Sequence, residues 1–474
     1  MVVEREPATS ERSRAPAIHV RTREVFRQWG VEARLLDAGV LEREIAVHSV
    51  DRERLLFRLD FGALEDEAER PGLLVLEQGT TERILREAVE ETGMCDLRFG
   101  TEAIGVDAGE EGVGLRVRAA GREARIDAAF LAGCDGAGSF VRGALGLPFD
   151  GLTYPLRAML GDVRVEDGRD ALPWPRLRNG RGGLTMGIRL RAGAWRIIRL
   201  ERGEPRAGGD VDDAEVRRRA AEVLGEGPVE VEWASRFRIH RRSAPRFRVG
   251  RVLLVGDAAH LHSPAGGQGM NAGIADAHNL AWKLAAALAG GDRERLLDSY
   301  DVERRAVVVG SVSRYTGFMT RVFMQAPAPV RAAAFALLRA PLAVPRFRRA
   351  AARRTAMIDL DYPPSPLLDP SDRSAGVRLP DPLLRAPDGG EVRLYSVLPD
   401  GAALLRVGAA DDVDVPPPVG AVVHVGAGGH ADPTGWLRGL VGADHGWILV
   451  RPDRHVAWAR PRVETEAVRR ALGG

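Results

Sequence analysis

Apolar positions along this chain change period several times, and the changes divide it into segments. In "TERILREAVEE" (81–91) they recur every three to four residues, which predicts an amphipathic helix with Thr80 or Thr81 as its cap. The next stretch, "TEAIGVDAGEEGVGLRVRAAGREARIDAAFLAGCDG" (101–136), alternates in short runs divided by glycine turns, the pattern of an antiparallel ribbon ending in a buried strand. Between 151 and 245, "GGLTMGIRL" and "AWRIIRLERG" are strand-like around one helical segment, "DDAEVRRRAAEVLG", so a β-rich unit is expected there. "GRVLLVG" (250–256) is continuously apolar, as a strand buried in a parallel sheet must be. A helical stretch follows from about Met270 through "YDVERRAVVVGSVSRYTGFMTRVF". "PPSPLLDPSD" (363–372) predicts a linker, and about 100 residues with their own strand and turn signals follow it. The opening "MVVEREPATS" sets two valines before an acid and a polar loop, and reads as the last half of a buried strand.

The length, 474 residues, suggests two or three structural units. Composition changes this picture little. With 45% hydrophobic and 28% charged residues and a net charge of +2, the chain has no global field that asks for nucleic acid or an anionic membrane. Lys283 is the only lysine among 68 basic residues, which points to a coding bias toward arginine. Two cysteines, Cys95 and Cys134, are too few for a disulfide framework or a cysteine metal site, and a cytoplasmic location is the simplest expectation. No signal peptide opens the chain and no apolar run reaches the ~20 residues of a membrane span. The arginine-rich "RFRRAAARR" (346–354) is read as a solvated helix face, not a nucleic-acid patch. His260 and His262 have a metal-compatible spacing but no evident third ligand, so no metal is expected and both are read as loop residues. Ser139 in "GCDGAGS" lacks the G-x-S-x-G setting of a nucleophile elbow.

The chemistry concentrates in "RVLLVGDAAHLHSPAGGQGMNAGIADAHNLAWKLAAAL" (251–288). A buried strand delivers Asp257 at its carboxyl end, where α/β sheets bind ligands. A Pro-Ala-Gly-Gly loop allows close backbone approach, and a helix starts near Asn271, where free N–H groups stabilise negative charge. This segment resembles the second flavin motif of the group A flavoprotein aromatic hydroxylases, the family of para-hydroxybenzoate and phenol hydroxylases.

The resemblance implies that Asp257 hydrogen-bonds the ribityl chain of FAD, and that Pro264, Gly267, Gly269, Met270 and Asn271 run along the isoalloxazine. "AGCDGAGSFVRGALGLPFDG" is similar to the family's Asp-Gly motif, which puts Asp135 near the diphosphate and gives Ser139 and Arg142 the turn and the nicotinamide path. "VLEQGTTERIL" places Gln78 on the adenosine side, and "SRAPAIHVRTREVF" places Arg14 on the diphosphate and ribose, although Pro16 departs from the usual residue there. "VVER" resembles the second strand of the dinucleotide unit, with Glu4 on the ribose hydroxyls. The glycine-rich G-x-G-x-x-G would then lie roughly 20 residues upstream of Glu4, so the chain is expected to be a front-truncated enzyme in which Val2 and Val3 lack a strand neighbour. "VVHVGAGGHA" (422–431) falls outside that order and is read as a hairpin turn.

The fold implied is α/β: a Rossmann-like FAD-binding domain from 1–150 and 246–360, incomplete at its N-terminus, an inserted β-rich substrate domain at 151–245, and a thioredoxin-like C-terminal domain at 376–474. That tail has no cysteine, so its expected role is packing. The function implied is an NAD(P)H-dependent FAD monooxygenase that hydroxylates a phenolic or polycyclic, polyketide-like aromatic compound with dioxygen through a flavin hydroperoxide. Alternatives are a flavin oxidase or reductase with the same cofactor motifs, or a flavin-free remnant that only binds. No catalytic side chain is named, because the cofactor carries the hard chemistry. The partners expected are a small aromatic substrate and dioxygen, with no nucleic acid or membrane, in a monomer or homodimer.

Overall fold

The computed structural model describes residues 1–9, 15–51, 53–166, 168–204, 211–408, 418–426 and 428–474. Strands Leu131–Gly133 and Val252–Leu254, about 120 residues apart in sequence, pair in parallel. Leu253 and Leu254 are fully buried, as the unbroken apolar run requires. This pairing sets the residues that follow the two strands, Asp135 and Asp257, at one sheet end. Val2–Val3 pairs in parallel with Leu97–Arg98 in a separate two-stranded sheet. Among the described residues no strand pairs its other edge, and Val2 is 51% exposed. The ribbon forms as three antiparallel strands, Thr101–Ala108, Val113–Ala119 and Arg122–Ala128.

The β-rich unit is a seven-stranded sheet. Five of its strands lie between Leu156 and Phe237, but Glu44–Ser49 and Arg54–Asp60 join it through a parallel contact with Arg176–Gly180. The sheet therefore reaches beyond 151–245, because a short strand finds its partner by tertiary pairing that its own sequence does not specify. Helix Asp213–Leu224 covers one face with Val216, Ala220 and Val223 against Met159, Trp195 and Ile197. The other face, with Leu177, Leu184 and Leu200, packs on Phe323 and Phe335 from the helical segment after the cofactor motif.

Helix Gln78–Glu91 starts earlier than its apolar period predicts. Glu77 is the N-cap, and Thr81 sits inside the first turn with its hydroxyl on the Glu77 carbonyl at 3.4 Å, so neither threonine caps. The long helical stretch resolves into Gly269–Leu288 and Arg293–Arg305, which continues through two π-helical segments, Ala306–Val312 and Thr320–Gln325, around Ser313–Met319. The 363–372 linker is packed rather than free: Leu367 and Leu368 are buried, and the Ser365 hydroxyl donates to Glu303 at 2.7 Å. The arginine-rich helix Pro345–Ala356 is also less solvated than expected. Arg349 and Arg353 pair with Glu67 while Ala352 and Ala356 are fully buried on its other side.

The tail is a four-stranded sheet in the order Val419–Val425, Ala402–Val407, Gly446–Val450, Val456–Arg460, with one parallel and two antiparallel neighbours. Separate apolar clusters cover its two faces, one including Leu437 and the other Val468 from helix Thr465–Leu472. "VVHVGAGGHA" is not a hairpin: its strand pairs in parallel with Ala402–Val407, and Gly426 N donates to the His430 carbonyl to close a tight turn.

Tail and core meet through buried charge. Arg451 makes a bidentate contact with Glu303 at 2.8 and 2.9 Å, Lys283 donates to the same carboxylate at 2.7 Å, and all three are fully buried. Asn279 bridges Glu303 and Asp453 at 2.9 and 3.1 Å. Arg378 from the tail grips Glu24 on helix Val20–Gln28.

Candidate functional site

Two backbone devices shape the centre of the site. Gly256, just after strand Val252–Leu254, has φ +60, and helix Gly269–Leu288 crosses so close that a Cβ on Gly273 would lie 3.3 Å from Gly256 Cα. Two glycines permit that close approach of strand end to helix, and a side chain at Gly273 would force the two apart by a few tenths of an ångström. Asp257 follows in a short 3-10 turn and is exposed at the strand's carboxyl end.

The second device is the glycine loop. Gly266 and Gly267 have φ +84 and +65. Asn271, fully buried, locks the loop: its amide nitrogen donates to the Ala17 and Gly267 carbonyls at 2.8 Å each, and its oxygen accepts the His19 amide at 3.0 Å. The His19 Nε2 donates to the Gly266 carbonyl at 2.9 Å. Residues from opposite ends of the flavin-like segments thus form one clamp, and His19 is a member that sequence reasoning passed over. The only signal was its place inside "SRAPAIHVRTREVF".

The Asp135 carboxylate accepts the Ser139 hydroxyl at 2.5 Å and the Val141 amide at 2.9 Å, while Ser139 caps helix Phe140–Ala144. Arg142 then ties this turn to the other motif, donating to the carbonyls of Ala137 at 2.9 Å and Ala258 at 2.8 Å. Gln78 accepts the Ala15 amide at 3.1 Å and donates to Glu82 at 2.7 Å, so it holds the crossing segment to its helix. Glu4 ends strand Val2–Val3 and is exposed, with its carboxylate on the Glu6 amide at 2.9 Å. Arg14 lies outside the described residues.

Behind the loop, Asp276 receives His260 at 2.6 Å, Arg304 at 2.7 Å and the Gly256 amide at 3.1 Å. Burial alone would raise its pKa, but the charges of His260 and Arg304 outweigh that and hold it down at about 2. His260 lies in strand His260–Leu261, not in a loop. His262 bonds the Ser313 hydroxyl at 3.0 Å. Among the described residues no group of three or more His, Cys, Asp or Glu is placed to hold a metal. Asp276 shares its buried helix face with Asn279 and Lys283, so the local pattern did not single it out.

The geometry fits FAD. Helix Gly269–Leu288 starts without a side-chain cap, which leaves its first amide N–H groups for an acceptor. A Cβ built on Gly136, Gly138 or Gly269 would meet nothing within 4 Å, so open space lies against these backbones where a cofactor needs close approach. A model of the FAD-binding domain family matches residues 1–314. The chain belongs to this FAD-binding family. Its relatives include the aromatic compound monooxygenase YhjG of Bacillus subtilis, 34% identical over 97% of this chain and 89% of that protein. Among solved structures it is similar to OxyS anhydrotetracycline hydroxylase from Streptomyces rimosus, with a TM-score of 0.79 and 30% identity over 99% of this chain and 93% of that one. It is also similar to the Diels-Alderase PyrE3 of pyrroindomycin biosynthesis, with a TM-score of 0.80 and 30% identity over 100% and 93%. As a member of this family the chain is an FAD-dependent aromatic monooxygenase, and among its described residues no helix is long and apolar enough to cross a membrane.

The clamp makes this flavoenzyme's loop sensitive to acid. Burial depresses His19 from 6.5 to about 4, against the weaker raising effect of its bonds to Gly266 and Gly267. Below pH 6.5 the unfolded chain takes up a proton that the folded chain refuses, so this residue's contribution to stability falls as pH drops from about 6.5 through 4. FAD release, read by flavin fluorescence, should rise over that window. His19→Gln, which keeps a donor for Gly266, should flatten the rise, and an unchanged profile in the variant would exclude His19 as its source.

Proposed function

We propose that this chain hydroxylates a phenolic or polycyclic, polyketide-like aromatic compound, with NAD(P)H as electron donor and dioxygen as oxidant. One observation carries the reading: parallel strands Leu131–Gly133 and Val252–Leu254 lead to Asp135 and Asp257 at one sheet end, and the segment of the clamped glycine loop touches, through Ser263 on Met324 at 3.9 Å, the apolar cluster on one face of the seven-stranded sheet. Bound FAD supplies the electron transfer and oxygen activation. Asp257, Asp135, Gln78, Glu4 and Arg14 hold it in this proposal, and the Pro264–Asn271 loop follows its ring. The remaining tasks of the protein are to orient the aromatic ring and to exclude water from the oxidised centre. Met186, Ile198 and Phe237, partly buried on the sheet side, with Met319 and Met324 opposite, offer an apolar wall for a flat polycycle.

The test is turnover of a panel of hydroxylated naphthalenes and anthracenes under labelled dioxygen. NAD(P)H consumption with one labelled oxygen in the product is expected. Consumption without labelled product points to an oxidase or reductase, and a colourless protein that binds aromatics without turnover points to a remnant; either rules out the hydroxylase reading. The likeness to a Diels-Alderase supports a second reading, a redox-neutral cycloaddition, which would give an isomeric product with no NAD(P)H consumed.

A further inference from the structure

A small cavity of about 20 Å³ lies behind the glycine loop, where helices Val20–Gln28 and Gly269–Leu288 meet the tail. Arg21, Arg304 and Arg378 line it together with His278, His455 and Asn271. The three arginines are 8%, 2% and 3% exposed. Arg21 uses Nη1 on Glu24 and Nη2 on the Asp453 carbonyl. Arg304 uses Nε on Asp276 and Nη2 on the Ala272 carbonyl. Arg378 uses Nε and Nη2 on Glu24, and Nη2 also on the Glu67 carbonyl. Arg21 Nε, Arg304 Nη1 and Arg378 Nη1 therefore have no protein acceptor among the described residues. His278 Nε2 is likewise buried and unpartnered.

We infer that this cavity binds one small monovalent anion of halide type at the junction of core and tail. The carboxylates that touch these three guanidinium groups are Glu24 and Asp276, and the neighbouring Asp453 and Glu303 are matched by Arg451 and Lys283, which leaves one positive charge uncompensated in the cluster. A buried cation without a counter-charge is costly, so the site favours an anion over a neutral occupant. Water has two acceptor lone pairs, fewer than the N–H groups that border the cavity, whereas a halide accepts from all of them. The volume suits a single occupant near the size of one or two waters and excludes phosphate or a carboxylic metabolite. The bound ion would join three elements at once: the tail through Arg378, helix Val20–Gln28 through Arg21, and the Gly256 turn through Arg304 and Asp276.

Two measurements on the purified full chain test this. Titrating chloride or bromide against gluconate at constant ionic strength should raise the thermal transition saturably, by roughly 1–2 °C at tenfold excess over the dissociation constant. Crystals soaked in bromide should show an anomalous peak between Arg304 and Arg378. Ala275→Met keeps the arginines but fills the space from a neighbouring lining position, and should abolish both signals. A cavity that holds only water in bromide, or a halide response equal to that of gluconate, overturns the assignment, as does a halide response that survives Ala275→Met unchanged.

Discussion

Replacing Glu303 with alanine should unseat the tail and cost about 3 to 5 kcal/mol, the penalty for leaving buried partner charges uncompensated. Glu303 is fully buried and accepts from Arg451, Lys283, Asn279 and Ser365. Burial would raise its pKa, but the charges of Arg451 and Lys283 overcome that and hold it well below the usual carboxylate range. Lys283 already sits near the limit of its charged form: burial pulls it from 10.5 to about 8, and Glu303 is the main force opposing that. Without the carboxylate, Lys283 would lose its proton, and Arg451 would keep only Asp453, at 2.7 Å. The readouts are the thermal transition and protease cleavage within 363–372, which is packed against Glu303 through Ser365. Glu303→Gln keeps an acceptor and should fall between the two. Wild-type melting and wild-type protease resistance in the alanine variant would show that the tail is held by apolar packing alone.

The second large effect is expected at Asp257, where alanine should weaken FAD by roughly tenfold to a hundredfold. Hydrogen bonds to a charged group contribute about 1.5 to 3 kcal/mol, which is that range in affinity. Asp257 is exposed at the strand end, so removing it leaves no cavity and should not disturb the fold. That separates it from Asn271→Ala, which would break three bonds of the loop clamp and should lower stability and FAD affinity together. Flavin content after gel filtration and a binding titration measure both. An Asp257→Ala protein that keeps full flavin with unchanged affinity would remove Asp257 from the cofactor's partners.

Much of the site was legible because its chemistry is local. Asp257 after a buried strand, a Pro-Ala-Gly-Gly loop and an uncapped helix start are consecutive in sequence, so their order alone fixes which backbone groups face a ligand. The Asp135-Ser139 turn is local in the same way, since the aspartate and serine cap a helix within six residues. His19 and Arg304 were not legible, because their roles exist only through partners more than 25 residues away: His19 to Gly266 and Asn271, Arg304 to Asp276.

The fold divides along the same line. Hydrophobic period by itself determined the buried strands, the long helices and the alternation of α/β core, β-rich unit and tail, because burial of one face acts on each segment separately. It could not determine that Glu44–Ser49 joins the seven-stranded sheet, since strand pairing is chosen among distant edges of similar pattern. Nor could it determine that the 363–372 segment is packed or that the sole lysine is buried. Nothing in "LAWKLAAALAGG" marks Lys283 as buried, and only the arrival of Glu303 from another element makes its burial tolerable. A charge enters a core only where tertiary structure supplies its counter-charge, and here Lys283 and Arg451 lie 168 positions apart in sequence.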